Sequence, residues 1–210
     1  MNGLIKMSYV RNFGNTIILI ENLASISRFS QLNVQMIMTG SKKPVKEFKI
    51  REFMTYDSDG INRVIKSLHP TWFDNEALKN IPIDIHFQKC FVAEYKAHVI
   101  GFISFFSSHG RVEINWIGVK HNFHRIGIGR KLLSRVEEKC INFGINSLYV
   151  ETVGWCTPKN KLYNKSYGKT IEFYKAIGFE VEKKGVIIEE MGYKYRIDTF
   201  KKEISPRTII

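Results

Sequence analysis

The stretch HNFHRIGIGRKLL, residues 121–133, sets Gly127 and Gly129 one residue apart at the mouth of an amphipathic helix. Glycine lets backbone N–H groups close on an anion, and a helix start supplies unpaired donors with a partial positive charge. The chemistry this suits is phosphate binding across Arg125, Ile126, Gly127, Ile128, Gly129 and Arg130, mainly through main-chain N–H groups. Arg125, Arg130 and Lys131 add positive charge beside it. A plainer reading also stands: a glycine turn that only starts a helix. His121 and His124 lie three apart in the same loop with no third ligand nearby, so no metal site is expected. Cys156, in GWCTPKNK, has no base partner in the sequence, and such a thiol is more often inert.

The elements that must position this loop read as mixed α/β. FKIREF (48–53) has strand character. SDGINRVIKSL (58–68) puts Ile61, Val64, Ile65 and Leu68 on one helical face. HPTWFDNEALKNI (69–81) reads as a turn and a short helix, with Asp74 as its cap. CFVAEY, KAHVIGFISFFS and RVEINWIGV follow as consecutive antiparallel strands. After the glycine loop, Leu132, Leu133, Val136, Cys140 and Phe143 recur at helical spacing, and Gly144 ends the helix. SLYVETV is a strand, YGKTIEFYKAI a helix closed by Gly178, FEVEKK a strand, and YKYRIDTF the last one. Trp72 and Trp116 read as core or cleft wall.

A dinucleotide-binding reading of the glycine loop is weak. That fold wants a third glycine where Leu132 stands, and a tight turn straight from the strand. Here an eight-residue step takes the chain from Val119 to Gly127. Glu151 falls at the distance of that fold's ribose acid, but the three antiparallel strands upstream do not suit it.

INWIGVKHNFHRIGIGRKLL resembles the acyl-CoA-binding motif of the GCN5-related N-acetyltransferase (GNAT) superfamily. That motif is a strand, a short loop, then Q/R-x-x-G-x-G/A at a helix start. Downstream, TIEFYKAIGFE resembles the superfamily's C-terminal helix and strand, with F-Y-x-x-x-G-F at Phe173, Tyr174, Gly178 and Phe179. The likeness covers about residues 47–201. His124 stands at the Q/R position, and Tyr167 stands where an Asn often precedes the tyrosine.

The resemblance implies a GNAT-like acyl-CoA N-acyltransferase fold: a mixed central sheet with splayed strands, flanked by helices. It implies acetyl-CoA as acyl donor and a primary amine as acceptor, attacked directly in a ternary complex. Ile117, Gly118 and Val119 would lie along the pantetheine arm, residues 125–130 at the pyrophosphate, and Tyr167 and Tyr174 near the cofactor. Glu113, on the strand before the loop, would be the general base, and Tyr174 the acid toward the leaving thiolate. Their plain alternatives are an exposed strand glutamate and a core-packing tyrosine.

Composition bounds the rest. The chain has 210 residues, 44% of them hydrophobic and 25% charged, which is ordinary for a globular protein. No apolar run approaches the roughly 18 residues that span a bilayer, and no secretory signal is read at the start. Three widely spaced cysteines form no disulfide framework, so a cytoplasmic setting is expected. The net charge of +12 attracts polyanions without choosing among them. The tail lacks the basic-aromatic interleaving of a nucleic-acid groove, so nucleic acid is not expected as a partner. The expected organisation is an N-terminal extension (1–45), an acetyltransferase domain (46–203) and a short tail (204–210), as a monomer or homodimer. The alternatives are an acyl-CoA-binding regulatory module without turnover and a basic nucleic-acid-associated protein.

Overall fold

The computed structural model describes residues 47–156, 161–190 and 193–205, and within them no side chain of 161–167, 190 or 193. The expected extension over 1–45 and the tail beyond 205 lie outside these residues. Among these residues, seven strands form one sheet in the order β1-β2-β3-β4-β5-β7-β6. They are β1 (Lys49–Glu52), β2 (Lys89–Tyr95), β3 (His98–Ser108), β4 (Arg111–Val119), β5 (Ser147–Cys156), β6 (Glu180–Glu190) and β7 (Tyr193–Glu203). All neighbours are antiparallel except β4 and β5, which run parallel.

One face of the sheet carries α1 (Ser58–Leu68) and α2 (Asn75–Phe87). The helical period foretells α1 correctly: Ile61, Val64, Ile65 and Leu68 are all buried against Val92, Val99 and Phe102. Each such side chain contributes about 1.5–3 kcal/mol on leaving water. Asp74 caps α2 as expected, its side chain accepting from the Ala77 N–H at 2.8 Å. The helix runs further than its sequence suggests, through Pro82 to Phe87. Proline removes one helical bond and crowds the preceding turn. Burial of Ala77, Ile81 and Ile85 along one stripe outweighs that loss. At the outer edge, Arg51 of β1 donates to both oxygens of buried Asp57 at 2.6 and 2.8 Å, and to Glu94 at 2.7 Å. This ties β1 to the start of α1.

The other face carries α3 (Ile128–Asn142) and α4 (Lys161–Ala176). Ile128, Leu132, Leu133, Val136 and Cys140 of α3 are buried against Ile103, Phe105, Val112, Ile114 and Leu148. Phe143 departs from the expected stripe and is 75% exposed. The helix has already ended at Asn142, and Gly144, at φ 71°, turns the chain before Phe143 can reach the core. β5 and α4 also extend beyond their apolar runs, β5 because β7 pairs with it as far as Cys156.

Candidate active site

β4 meets two neighbours, and only one follows it to its end. Toward β3, Cα partners run from Ser108↔Arg111 to Gly101↔Val119. Toward β5, parallel pairing covers Val112↔Leu148, Glu113↔Tyr149 and Ile114↔Val150, and then stops. Beyond Val150, β5 keeps company with β7 alone. The sheet therefore opens after Ile114, and the next residues of β4 have no strand on their β5 side among the described residues. A bulge marks the spot: Phe105 faces Ile114, Ser104 faces Trp116, and Asn115 is the extra residue. A bulge bends its strand and sharpens the local twist. Past it, Ile117 and Val119 pack toward the α3 core. A Cβ on Gly118 would come within 2.9 Å of Phe102 and 3.1 Å of Leu68, so only glycine lets α1 press this closely.

The glycine loop follows directly. The Lys120 N–H bonds the Ile100 carbonyl at 2.8 Å, ending the sheet. The His124 ring N–H donates to the Val119 carbonyl at 2.6 Å, and the ring lies 5.3 Å from that of Trp72. Arg125 (φ 65°) and Gly127 (φ 89°) both take left-handed backbone. At Arg125 this conformation is uncommon for a residue with a Cβ. The first helical bond joins the Lys131 N–H to the Gly127 carbonyl at 3.0 Å. The N–H groups of Ile128, Gly129 and Arg130 are thus the unpaired donors of the first turn. The two glycines serve different needs. A Cβ on Gly127 would meet nothing, so the conformation demands glycine there; at Gly129 it would sit 3.3 Å from the Phe173 ring. The Ile128 side chain is buried, so only its N–H faces outward chemistry, while Ile126 packs at the core's edge.

Glu113 and Tyr174 lie on opposite faces of the sheet. Val112 and Ile114 point into the core beneath α3, so Glu113, between them, points to the α1–α2 side. It sits one residue short of the opening. Partial burial raises its pKa first, the charge of Glu151 raises it further, and Arg111 opposes both. Arg111 lies with its guanidinium 3.9 Å from the centre of the Tyr149 ring. Tyr174 is 3% exposed in the α3–α4 core, 5.3 Å from Phe179 and 5.4 Å from Phe173 by ring centres. The motif around it explains that packing. Gly178 (φ 93°) reverses the chain, the Phe179 N–H returns to the Tyr174 carbonyl at 3.0 Å, and Phe179 folds onto the tyrosine ring. Burial pushes the phenol well above the ordinary tyrosine range, so it stays protonated. Groups on opposite faces can meet one reacting centre only through the opening between β4 and β5.

A model described as the acetyltransferase (GNAT) family matches residues 61–179. The chain belongs to the GNAT acetyltransferase family. Its fold is shared by an IAA acetyltransferase from Bacillus cereus, with 19% identity and a TM-score of 0.55 over 75% of this chain and 100% of that one. The ribosomal-protein-S18-alanine N-acetyltransferase from Escherichia coli shows 15% identity and a TM-score of 0.57, over 78% and 99%. A GNAT family acetyltransferase from Elizabethkingia anophelis, with acetyl-CoA bound, shows 18% identity and a TM-score of 0.54, over 76% and 99%. No curated protein matches the chain.

Within this GNAT domain, the remaining sequence candidates fall in different places. Tyr167 lies on α4, but its side chain is outside the described ones. His121 and His124 have ring centres 5.1 Å apart, with their planes tilted, and pack beside Trp72. No group of three His, Cys, Asp or Glu able to hold a metal forms among the described residues. Burial raises the Cys156 thiol, which makes it a poorer nucleophile. No described helix is long and apolar enough to cross a membrane. Sequence reasoning missed Arg111, the bulge at Asn115, and Asp84 of α2, which accepts from the side chains of Asn115 and Trp116. It named Glu151 only to weigh another fold. One signal for the bulge was present in RVEINWIGV. Val112 and Ile114 alternate normally, whereas Ile114 to Ile117 takes three steps to regain the same face.

Proposed function

We propose that this GNAT member transfers the acetyl group of acetyl-CoA to a primary amine by direct attack in a ternary complex. The supporting observation is the opening between β4 and β5 beside a left-handed glycine loop. Residues 125–130 hold the pyrophosphate through the first-turn N–H groups, with Arg125 and Arg130 adding charge. Ile117, Gly118 and Val119 offer the open backbone edge of β4 to the pantetheine arm, whose amides can pair as a strand would. Tyr167 is proposed as a further contact from α4. The acetyltransferase unit comprises residues 46–203.

The amine arrives from the α1–α2 side. Its nitrogen attacks the thioester carbonyl, a C–N bond forms, and the C–S bond breaks. Glu113 takes the proton from nitrogen, directly or through one water. Its raised pKa makes it a stronger base than an ordinary carboxylate. Tyr174 faces the departing sulfur from the other side. An ordinary thiol titrates near pH 8.5, well below this buried phenol, so Tyr174 donates a hydrogen bond to the thiolate and keeps its proton. After release, solvent water equilibrates the thiolate with its thiol.

The test is a screen of primary amines spanning small amines, amino sugars and peptides, read as thiol release from acetyl-CoA. Release that depends on one amine class is the expected result. Tight acetyl-CoA binding with no release for any amine would make the chain a binding module instead. Strongly salt-dependent binding to nucleic acid without acetyl-CoA binding would overturn the reading altogether.

A further inference from the structure

The bulge that opens the sheet is held from outside the strand. Asp84, on α2, accepts through its Oδ2 from Trp116 Nε1 at 2.7 Å and from Asn115 Nδ2 at 3.1 Å. Asn115 is the extra residue of the bulge and Trp116 the next, immediately past the last β4–β5 pair at Ile114↔Val150. Both donors therefore come from the two residues at which β4 leaves β5, and both converge on one oxygen of a different element. Ser104 faces Trp116 across the bulge and is fully buried, yet its hydroxyl has no hydrogen-bond partner. It does not share the task. Asp84 itself is fixed by its helix, whose buried stripe of Ala77, Ile81 and Ile85 packs beneath it.

We infer that Asp84 is a positioning residue: it locks the Asn115–Trp116 bulge and so sets where the open edge of β4 meets the acyl donor. This rests on the reading that acetyl-CoA lies along that edge. A bulge left unclamped can slip its register or relax toward regular pairing, because one extra residue can be accommodated at neighbouring positions. The edge beyond it, through Val119, would then present its amides out of step with the ligand. A charged acceptor bonded to two neutral donors resists that slippage more than neutral pairs would.

Calorimetric titration of acetyl-CoA into the full-length native chain and its variants tests this. Binding to the native chain checks the underlying reading; its absence would remove both. Given native binding, Asp84→Ala should weaken acetyl-CoA roughly tenfold or more. Asp84→Asn keeps an oxygen that accepts both bonds and should stay within about threefold of native. Trp116→Phe removes the indole donor but keeps a ring in the core, and it carries the test if the alanine variant does not fold. It should weaken binding in the same direction. Unchanged affinity in a folded Asp84→Ala, with only a lowered melting temperature, would reduce Asp84 to a stabilising contact and overturn the inference. So would a raised KM for the amine in a folded Asp84→Ala with acetyl-CoA affinity unchanged, because that would make the carboxylate an acceptor-binding group.

Discussion

The two edges of β4 are built from the same nine residues and behave as opposites. On the β3 side pairing runs from Arg111 to Val119, interrupted only at the bulge residue Asn115. On the β5 side the ladder ends after Ile114. The held edge carries packing: Phe102, opposite Gly118, is fully buried beneath α1. The open edge carries backbone with no strand partner among the described residues, flanked by a glycine loop and a partly desolvated carboxylate. A strand can thus divide its labour by edge. Changes on the held side should be felt as stability, and changes on the open side as binding and rate.

The largest effect should come from the loop beside the open edge. Gly129→Asp places a carboxylate at the first-turn N–H groups and a side chain against Phe173. Acetyl-CoA binding should fall below detection in calorimetry, while the circular dichroism of the variant remains native. A folded variant that binds normally would remove the loop from the donor site.

Glu113→Gln should follow, with a rate loss on the order of 10²–10⁴ near neutral pH and little change in acetyl-CoA affinity. The acidic limb of its pH–rate profile should flatten. Activity should partly return at alkaline pH, where more of the amine is already neutral. A wild-type profile would mean that the enzyme works by alignment alone.

Phe102→Ala probes the held edge. It should cost about 3–5 kcal/mol of unfolding free energy through the cavity left beneath α1, measured by denaturant titration. At a temperature where the variant is folded, acetyl-CoA affinity should change far less than in Gly129→Asp. Equal losses in both assays would erase the distinction between the edges. Tyr174→Phe should be milder, slowing turnover about tenfold, as loss of one hydrogen bond to sulfur would. The effect should shrink with donors whose leaving group is a better anion.

The smallest change is the most diagnostic. Glu151 raises the Glu113 pKa and Arg111 lowers it. Removing the negative neighbour makes ionisation of Glu113 easier, so Glu151→Gln should move the acidic limb to lower pH. Arg111→Gln should move it to higher pH. Shifts in the same direction, or none, would show that the limb belongs to another group.

What the sequence determined by itself is local. The α1 face, the Asp74 cap, the turns at Gly144 and Gly178, and the glycine turn that opens α3 follow from periodicity and backbone preference over a few residues. Paired motifs such as IGIG and FYKAIGF could be read for the same reason, since each is one turn joined to one helix or strand. The tertiary structure alone decided where β4 and β5 part, because strand register is a long-range match that no window of sequence contains. It placed Glu113 and Tyr174 on opposite faces, set Arg111 and Glu151 against the Glu113 charge, and brought Asp84 from α2 to the bulge. A group's pKa and a clamp's reach depend on neighbours tens of residues away, and those neighbours are chosen only when the sheet closes around its core.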